Sequence, residues 1–178
     1  MKELALHILD IAENSIRAGA SFIEIIVDED GESDRITIEI RDNGCGMDQD
    51  TLSRVLDPFF TTKDVRRVGM GLSLFRRAAE GTGGHFYIDS TPDSGTTVRA
   101  VFGYSHIDRQ PMGDMASTVS GLLLSHGEID IFYKHIIGSD EFVFDTRDIR
   151  IVLEDTPITS PEVIQFITTM IREKKNLE

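Results

Sequence analysis

Apolar residues recur every three or four positions near the amino terminus, which predicts an amphipathic helix over ELALHILDIAENSIRAGA. Its apolar side holds Leu4, Ile8, Ile11, Ala12 and Ser15. A polar stripe on another side of the same helix follows steps of three and four residues through His7, Asp10, Asn14 and Arg17. Gly19 is typical of the residue that ends a helix.

The pattern then changes from helical spacing to strict alternation, which is typical of β-strands. FIEIIVDE and RITIEIRD alternate with period two, and DGESD between them predicts a hairpin turn. Helices are predicted over DQDTLSRVLD and over residues 71–80, and two further strands over GGHFYIDS and TTVRAVFGY. This first part of the chain, residues 1–104, is predicted to form one α/β domain.

Residues 105–178 are predicted to form a separate α-β-β-α extension after a break at SHIDRQPMGD. MASTVSGLLLS and SPEVIQFITTMIREKK have helical patterns, whereas EIDIFYKHII and EFVFDTRDIRIVL are predicted as strands joined through residues 138–140. The extension shows no phosphate loop, metal-ligand spacing or nucleophile–base pair. We therefore expect it to dock on the first domain or to pair with a second copy in a homodimer, and to act as an interaction module.

The charge of the chain restricts its partners. Its 178 residues carry a net charge of −13, and acidic side chains outnumber basic ones in both predicted parts. Such a field repels nucleic acid and anionic lipid, so we expect neither as a partner. Cys45 is the only cysteine, and no apolar run approaches the roughly 20 residues that span a bilayer. These features are typical of a cytoplasmic protein.

Four separated motifs occur in a fixed order over residues 3–104: ENSIRAGA, RDNGCGM, LDPFFTTK with VGMGLSL, and GGHFYIDS followed by SGTTV. Together they resemble the ATP-binding domain shared by histidine kinases, gyrase B, mismatch-repair ATPases and heat-shock chaperones, the GHKL superfamily. The resemblance implies a Bergerat-type fold, an α/β two-layer sandwich with a mixed, mainly antiparallel sheet and helices on one face. It also implies ATP and Mg²⁺ as cofactors.

The resemblance assigns the base-binding part of the site to the second motif. Asp42 would accept the exocyclic amine of adenine, which the carbonyl oxygen of guanine cannot supply. Gly44 and Gly46 would let the backbone pass close to the ring. The same resemblance places Met47 and Thr96 at the nucleotide.

The first motif would hold the metal and the phosphates. Asn14 occupies the position of the family's Mg²⁺ ligand, and Mg²⁺ prefers oxygen ligands such as an amide oxygen and phosphates. Arg17 would either contact phosphate or remain a solvated helix residue. The hydrolysing branches have Glu four residues before the Asn, where this chain has Asp10. Asp10 is the catalytic candidate, acting through a second water or as an outer-shell metal ligand, so we expect slow hydrolysis.

The third motif resembles the mobile lid over the phosphates. Phe59 would be its apolar hinge, and Thr61, Thr62 and Lys63 would begin it. Gly69 and Gly71 would bring the phosphate-binding turn to a helix amino terminus, with Met70 and Leu72 alongside. The family often has a further glycine where this chain has Arg67, which would supply a charge to the phosphates or lie on the surface.

Three functions fit these residues. The first is a regulatory Mg·ATP-binding protein or slow ATPase whose nucleotide state is passed to a protein partner in signal transduction. The second is a serine/threonine kinase of the anti-sigma-factor type, and the third is the ATP-binding subunit of a histidine kinase system. None of the five histidines is followed by an acidic residue, as the kinases' phospho-acceptor usually is, and the chain opens on the first helix of the domain. We therefore do not expect a self-contained autokinase.

Overall fold

The computed structural model describes residues 2–56 and 70–175. Its first part comprises α1 (Leu4–Arg17), β1 (Phe22–Asp30), β2 (Arg35–Asp42), α2 (Gln49–Arg54), α3 (Met70–Glu80), β3 (His85–Thr91) and β4 (Gly95–Gly103). Its second part comprises α4 (Met115–Ser125), β5 (Asp130–Ile137), β6 (Asp140–Asp145), α5 (Thr146–Leu153) and α6 (Pro161–Lys175).

The strands form one six-stranded sheet in the order β3-β4-β2-β1-β5-β6. The β1–β5 pair is parallel, and the other four pairs are antiparallel. Ile25 stands opposite Ile40 on β2 and Tyr133 on β5. This register aligns the apolar residues of neighbouring strands on one face, as a half-buried sheet requires.

Helices cover that apolar face. Ile23, Ile25 and Val27 alternate with partly exposed residues along β1, and the same alternation continues along β2 and β5. Helices α1 and α3 pack on the first part of the sheet, α4 packs on α1, and α6 packs on α4. The predicted mixed, mainly antiparallel sheet with helices on one face is confirmed, and it matches the Bergerat-type arrangement.

The second part joins the first through the sheet. Strand β5 pairs with β1 over eight residues, from Phe22 opposite Asp130 to Glu29 opposite Ile137. The connection before α4 also contacts the start of α1, because the amides of Leu4 and Ala5 donate to the carbonyls of Pro111 and Met112 at 2.9 and 2.8 Å. The α1 helix is therefore attached at its amino terminus to the segment that leads into the second part.

One predicted strand is wrong in its second half. The stretch EFVFDTRDIRIVL forms β6 only as far as Asp145, and α5 follows at once. The Asp145 carboxylate accepts from the amide of Arg147 and caps the helix, and the buried Thr146 hydroxyl accepts from the amide of Ile131 at 2.9 Å. These local hydrogen bonds compete successfully with strand pairing, which the alternation of branched residues had favoured.

Candidate nucleotide-binding site

Asp42 lies at the last position of β2 and is only 9% exposed. Its Oδ2 accepts from the Ser15 hydroxyl of α1 at 2.5 Å. Its Oδ1 accepts from the amides of Gly44 and Thr96 at 2.9 and 3.3 Å. A buried carboxylate is therefore held in place by a helix, a turn and a neighbouring strand.

The hydrogen bonds that Asp42 makes with residues 2–56 and 70–175 leave room for one more donor. A carboxylate offers about four lone-pair positions, two on each oxygen. The two positions on Oδ1 are taken by backbone amides and one on Oδ2 by Ser15. The remaining position on Oδ2 is an acceptor suited to an amine, which is the role predicted for this residue.

The turn after Asp42 needs glycine for steric reasons. Gly46 has φ of 64°, and a methyl group there would overlap the carbonyl of Thr91. A methyl group at Gly44 would lie 3.0 Å from the carbonyl oxygen of Ala18 and 3.1 Å from Asp42 Oδ1. The backbone of the turn is thus packed tightly between α1 and the β3–β4 hairpin.

Two serines that the sequence did not single out complete the arrangement. Ser90 on β3 accepts from the amide of Met47 at 2.8 Å and lies 2.9 Å from the hydroxyl of Thr96. We call Ser15, Asp42, Ser90 and Thr96 the Asp42 cluster. Ser15 was detectable as a polar residue on the apolar side of α1, and Ser90 as a polar residue at an inward position of β3.

The first turn of α3 touches α1 at Asp10. A methyl group on Gly71 would overlap the Asp10 carboxylate, so any larger residue at this position would push that carboxylate aside. Asp10 and Ser15 are five residues apart, about 8 Å along the helix axis. Helix α1 therefore contacts the start of α3 through Asp10 and the Asp42 cluster through Ser15, from two different sides of the helix.

The structure leaves the other assigned residues at different depths. Asn14 is half-buried, one turn after Asp10, and Arg17 is exposed at the end of α1. Leu72 is 8% exposed and belongs to the apolar core. Phe59, Thr61, Thr62, Lys63 and Gly69 lie outside the described residues, and Met70 is described only as the first residue of α3.

A metal at this site would depend on few protein ligands. Within residues 2–56 and 70–175, no group of three His, Cys, Asp or Glu side chains could hold an ion. The amide oxygen of Asn14 suits Mg²⁺, which tolerates a single protein ligand when phosphate oxygens and waters complete its shell.

His7 lies one turn before Asp10 and is buried, at 2% exposed. Its ring lies 5.3 Å from that of Phe75 in α3, and its Nε2 lies 2.9 Å from the side-chain oxygen of Gln110. Burial lowers the pKa of His7, and the hydrogen bond to Gln110 offsets this in part. His7 therefore packs between α1, α3 and the segment leading to α4.

Residues 2–105, more than half of the chain, match the family described as histidine kinase-, DNA gyrase B- and HSP90-like ATPase. The chain belongs to this family. The Asp42 cluster and the glycines around it fall within the matched residues.

Several bacterial sensor kinases are similar to this chain. The sensor kinase CckA of Brucella abortus is 41% identical over 69 residues, covering 38% of this chain and 7% of that protein. Sporulation kinase A of Bacillus subtilis is 30% identical over 57% of this chain and 16% of its own length. The signal transduction histidine-protein kinase AtoS of Escherichia coli is 36% identical over 54% of this chain and 16% of its own. The chain thus spans a small part of each relative.

A solved structure shares the fold. The crystal structure of the N-terminal domain of a DNA repair protein superposes with a TM-score of 0.59 at 18% identity, covering 80% of this chain and 52% of that one. That coverage exceeds residues 2–105, so the shared fold includes part of the second half. Among the described helices, none has the length and apolar character needed to cross a membrane.

Proposed function

We propose that this protein binds Mg·ATP along α1, with adenine at Asp42 and the phosphates near the start of α3. The observation that carries the proposal is an acceptor position on Oδ2 of Asp42 that no donor from the described residues fills, in a carboxylate whose other positions are filled. An exocyclic amine fills that position with a charge-assisted hydrogen bond. Family membership supports the choice of ATP as the ligand.

The same helix would hold the metal. Asn14 would bind Mg²⁺ through its amide oxygen, and the metal would neutralise phosphate charge in a protein whose net charge is −13. The amino terminus of α3 supports phosphate binding, because the first-turn amides and the dipole of a helix favour an anion. The contact between Gly71 and Asp10 places this helix end beside α1.

We expect hydrolysis to be slow. Asp10 is shorter than Glu by one methylene group, and it lies against Gly71 instead of projecting freely. A general base must come within hydrogen-bond reach of the water it activates, directly or through one further water. The variant Asp10→Glu tests this expectation, since it should raise turnover if the length of residue 10 limits the reaction. Unchanged or lower turnover in a folded variant would show that it does not.

A nucleotide bound at this site would serve one of three functions. In the first, the nucleotide state changes the surface of residues 105–178 and is recognised by a protein partner or by a second copy. In the second, the protein supplies the ATP-binding part of a phosphotransfer system, and similarity to several sensor kinases supports this alternative. A serine/threonine kinase activity would be a third outcome of the same site.

Product analysis with γ-labelled ATP and Mg²⁺ distinguishes these outputs. Release of labelled phosphate at a low rate supports the slow ATPase, and retention of intact ATP supports a nucleotide-dependent binding protein. Label on an added protein would support a kinase. Calorimetry with ATP and GTP tests the binding site itself, and equal affinity for the two nucleotides would contradict the proposed role of Asp42.

A further inference from the structure

A cavity of about 620 Å³ lies in the second part of the molecule, away from the Asp42 cluster. Its floor is the inner face of β5 and β6, and its sides are the start of α4 and the end of α6. Pockets of this size hold small organic ligands, for which about 300 to 1,000 Å³ is typical. Neither the proposed nucleotide site nor its lid uses these residues.

Two polar side chains of the cavity floor, Tyr133 and His135, join Glu29 on the neighbouring strand in a series that we call the Tyr133 relay. The Tyr133 hydroxyl lies 2.8 Å from His135 Nδ1, and His135 Nε2 lies 2.7 Å from the Glu29 carboxylate. Tyr133 is 1% exposed and His135 is 6% exposed. Such groups interrupt an otherwise apolar sheet face, where burial of polar atoms is costly unless they are paired.

The direction of the hydrogen bonds follows from the chemistry of the three groups. An ionised carboxylate only accepts, so the His135 tautomer with its proton on Nε2 donates to Glu29. Its Nδ1 then accepts from the Tyr133 hydroxyl. The Tyr133 oxygen keeps its lone pairs, and they are available to a donor from a ligand.

The hydroxyl of the relay does not ionise near neutral pH. Burial, and to a smaller extent the charge of Glu29, raises the pKa of Tyr133. The oxygen therefore remains a neutral acceptor with a carboxylate behind it, and it attracts positive charge.

The rim of the cavity is acidic. Three acidic residues line it, Glu3, Asp114 and Asp140, against a single cation, Arg172. Arg172 is paired with Asp114 at 2.9 Å, and Lys134 is paired with Glu141 at 2.7 Å. In the part of the chain that the structure describes, no cation pairs with Glu3 or Asp140. An anionic ligand would meet uncompensated like charge here.

Apolar and aromatic groups make up the rest of the wall. Phe142 lies edge-on to Tyr133, with ring centroids 6.1 Å apart, and Met115 and Ile171 face them. Aromatic faces attract cations and also bury apolar surface. We propose that this cavity binds a small organic cation, a protonated amine carried on an aromatic or apolar body.

Three probes with one ring system and different head groups test this proposal on the full chain. Tryptamine carries an ammonium group, tryptophol a neutral hydroxyl and indole-3-propionate a carboxylate. We expect calorimetry to give at least about tenfold tighter binding of tryptamine than of tryptophol and no detectable binding of indole-3-propionate, because the charged hydrogen bond separates them.

Two variants locate the binding. Tyr133→Phe removes only the acceptor oxygen, and Asp140→Asn removes only a rim charge at an exposed position. Each should weaken tryptamine binding severalfold, whereas Asp42→Asn should leave it unchanged. If Tyr133→Phe does not fold, tryptamine binding by Asp140→Asn alone tests whether the cavity is the binding site.

Three results would overturn the proposal. They are equal binding of the three probes, no binding of tryptamine at millimolar concentration, and loss of its binding in Asp42→Asn with retention in Asp140→Asn. Since these measurements need no nucleotide, failure of the ATP site would not change their meaning.

Discussion

Two buried polar groups of side chains lie on the same face of the sheet at opposite ends of β1. The Asp42 cluster lies beside Ile23, which pairs with Asp42, whereas the Tyr133 relay includes Glu29 near the other end. Six residues of extended chain separate these positions, about 20 Å. One layer of helices thus covers two distinct polar regions.

The two regions are held together differently. The Asp42 cluster accepts hydrogen bonds from three backbone amides, and two of them belong to a turn that requires glycine. The Tyr133 relay consists of side chains on adjacent strands. Backbone changes should therefore damage the first region, and loss of a side chain should damage the second.

Gly46→Ala should have the largest effect on stability. The left-handed conformation costs a residue with a side chain about 1 to 2 kcal/mol, and overlap with the Thr91 carbonyl adds a similar amount. We expect a loss of about 3 kcal/mol in urea unfolding. Gly121→Ala is the matched control, because Gly121 lies within α4 with no atom near its added methyl group. That control should stabilise by about 0.5 to 1 kcal/mol. Similar losses in both variants would contradict the account of the turn.

His135→Leu should have the next largest effect. It leaves the Tyr133 hydroxyl and the Glu29 carboxylate without their partner in a buried place, which should cost about 2 kcal/mol or more in unfolding free energy. Lys134→Leu changes the adjacent residue, which points to the other face of the sheet and is paired with Glu141. It should change stability by no more than about 0.5 kcal/mol. If His135→Leu leaves the unfolding free energy unchanged, the relay does not stabilise this end of the sheet.

Asp42→Asn should affect nucleotide binding more than the stability of the fold. The amide oxygen can keep the hydrogen bonds from Gly44 and Thr96, while the new NH₂ group donates to Ser15 and meets the amine of adenine donor to donor. We expect ATP affinity to fall at least about tenfold and the preference over GTP to shrink. Asp89→Asn, on the exposed face of β3, is the control and should bind like the wild type. Unchanged ATP affinity in Asp42→Asn would refute the adenine assignment.

The smallest expected effect is a pH dependence from His7. Burial lowers the pKa of His7 below its ordinary value of 6.5. The unfolded chain therefore binds more protons than the folded one just below pH 6.5, and stability should fall as the pH drops through that range. His7→Leu should reduce this dependence. Val119→Ala, a buried change without a titrating group, should lower stability and keep the dependence. If the unfolding free energy changes equally with pH in His7→Leu and in the wild type, His7 is not the source of the pH dependence.

Much of the fold followed from the sequence because its strands alternate cleanly and its helices have caps or glycine stops. The error at EFVFDTRDIRIVL arose because Ile149, Ile151 and Leu153 also satisfy strand alternation, while the structure ends β6 at the capping carboxylate of Asp145. The pairing of β5 with β1 was not predictable from local pattern, since it joins residues about a hundred positions apart.

The candidate site was predicted in its residue types but not in its connections. Asp42, Gly44 and Gly46 follow from one motif, whereas their link to Ser15 and Ser90 depends on how α1 and β3 pack. The Tyr133 relay left no signal in the sequence, because Glu29 lies 106 residues from His135. The lid assignments from Phe59 to Gly69 stay predictions.

The most direct test of the central claim is to follow backbone amide signals by NMR while Mg·ATP is added to the full chain. We expect the largest changes at Gly44, Cys45 and Thr96, which surround Asp42, with smaller changes at Tyr133 and His135. If the largest changes occur at Tyr133 and His135 while Gly44 and Thr96 are unaffected, the nucleotide binds in the cavity at β5 and β6. The assignment of adenine to Asp42 would then be wrong.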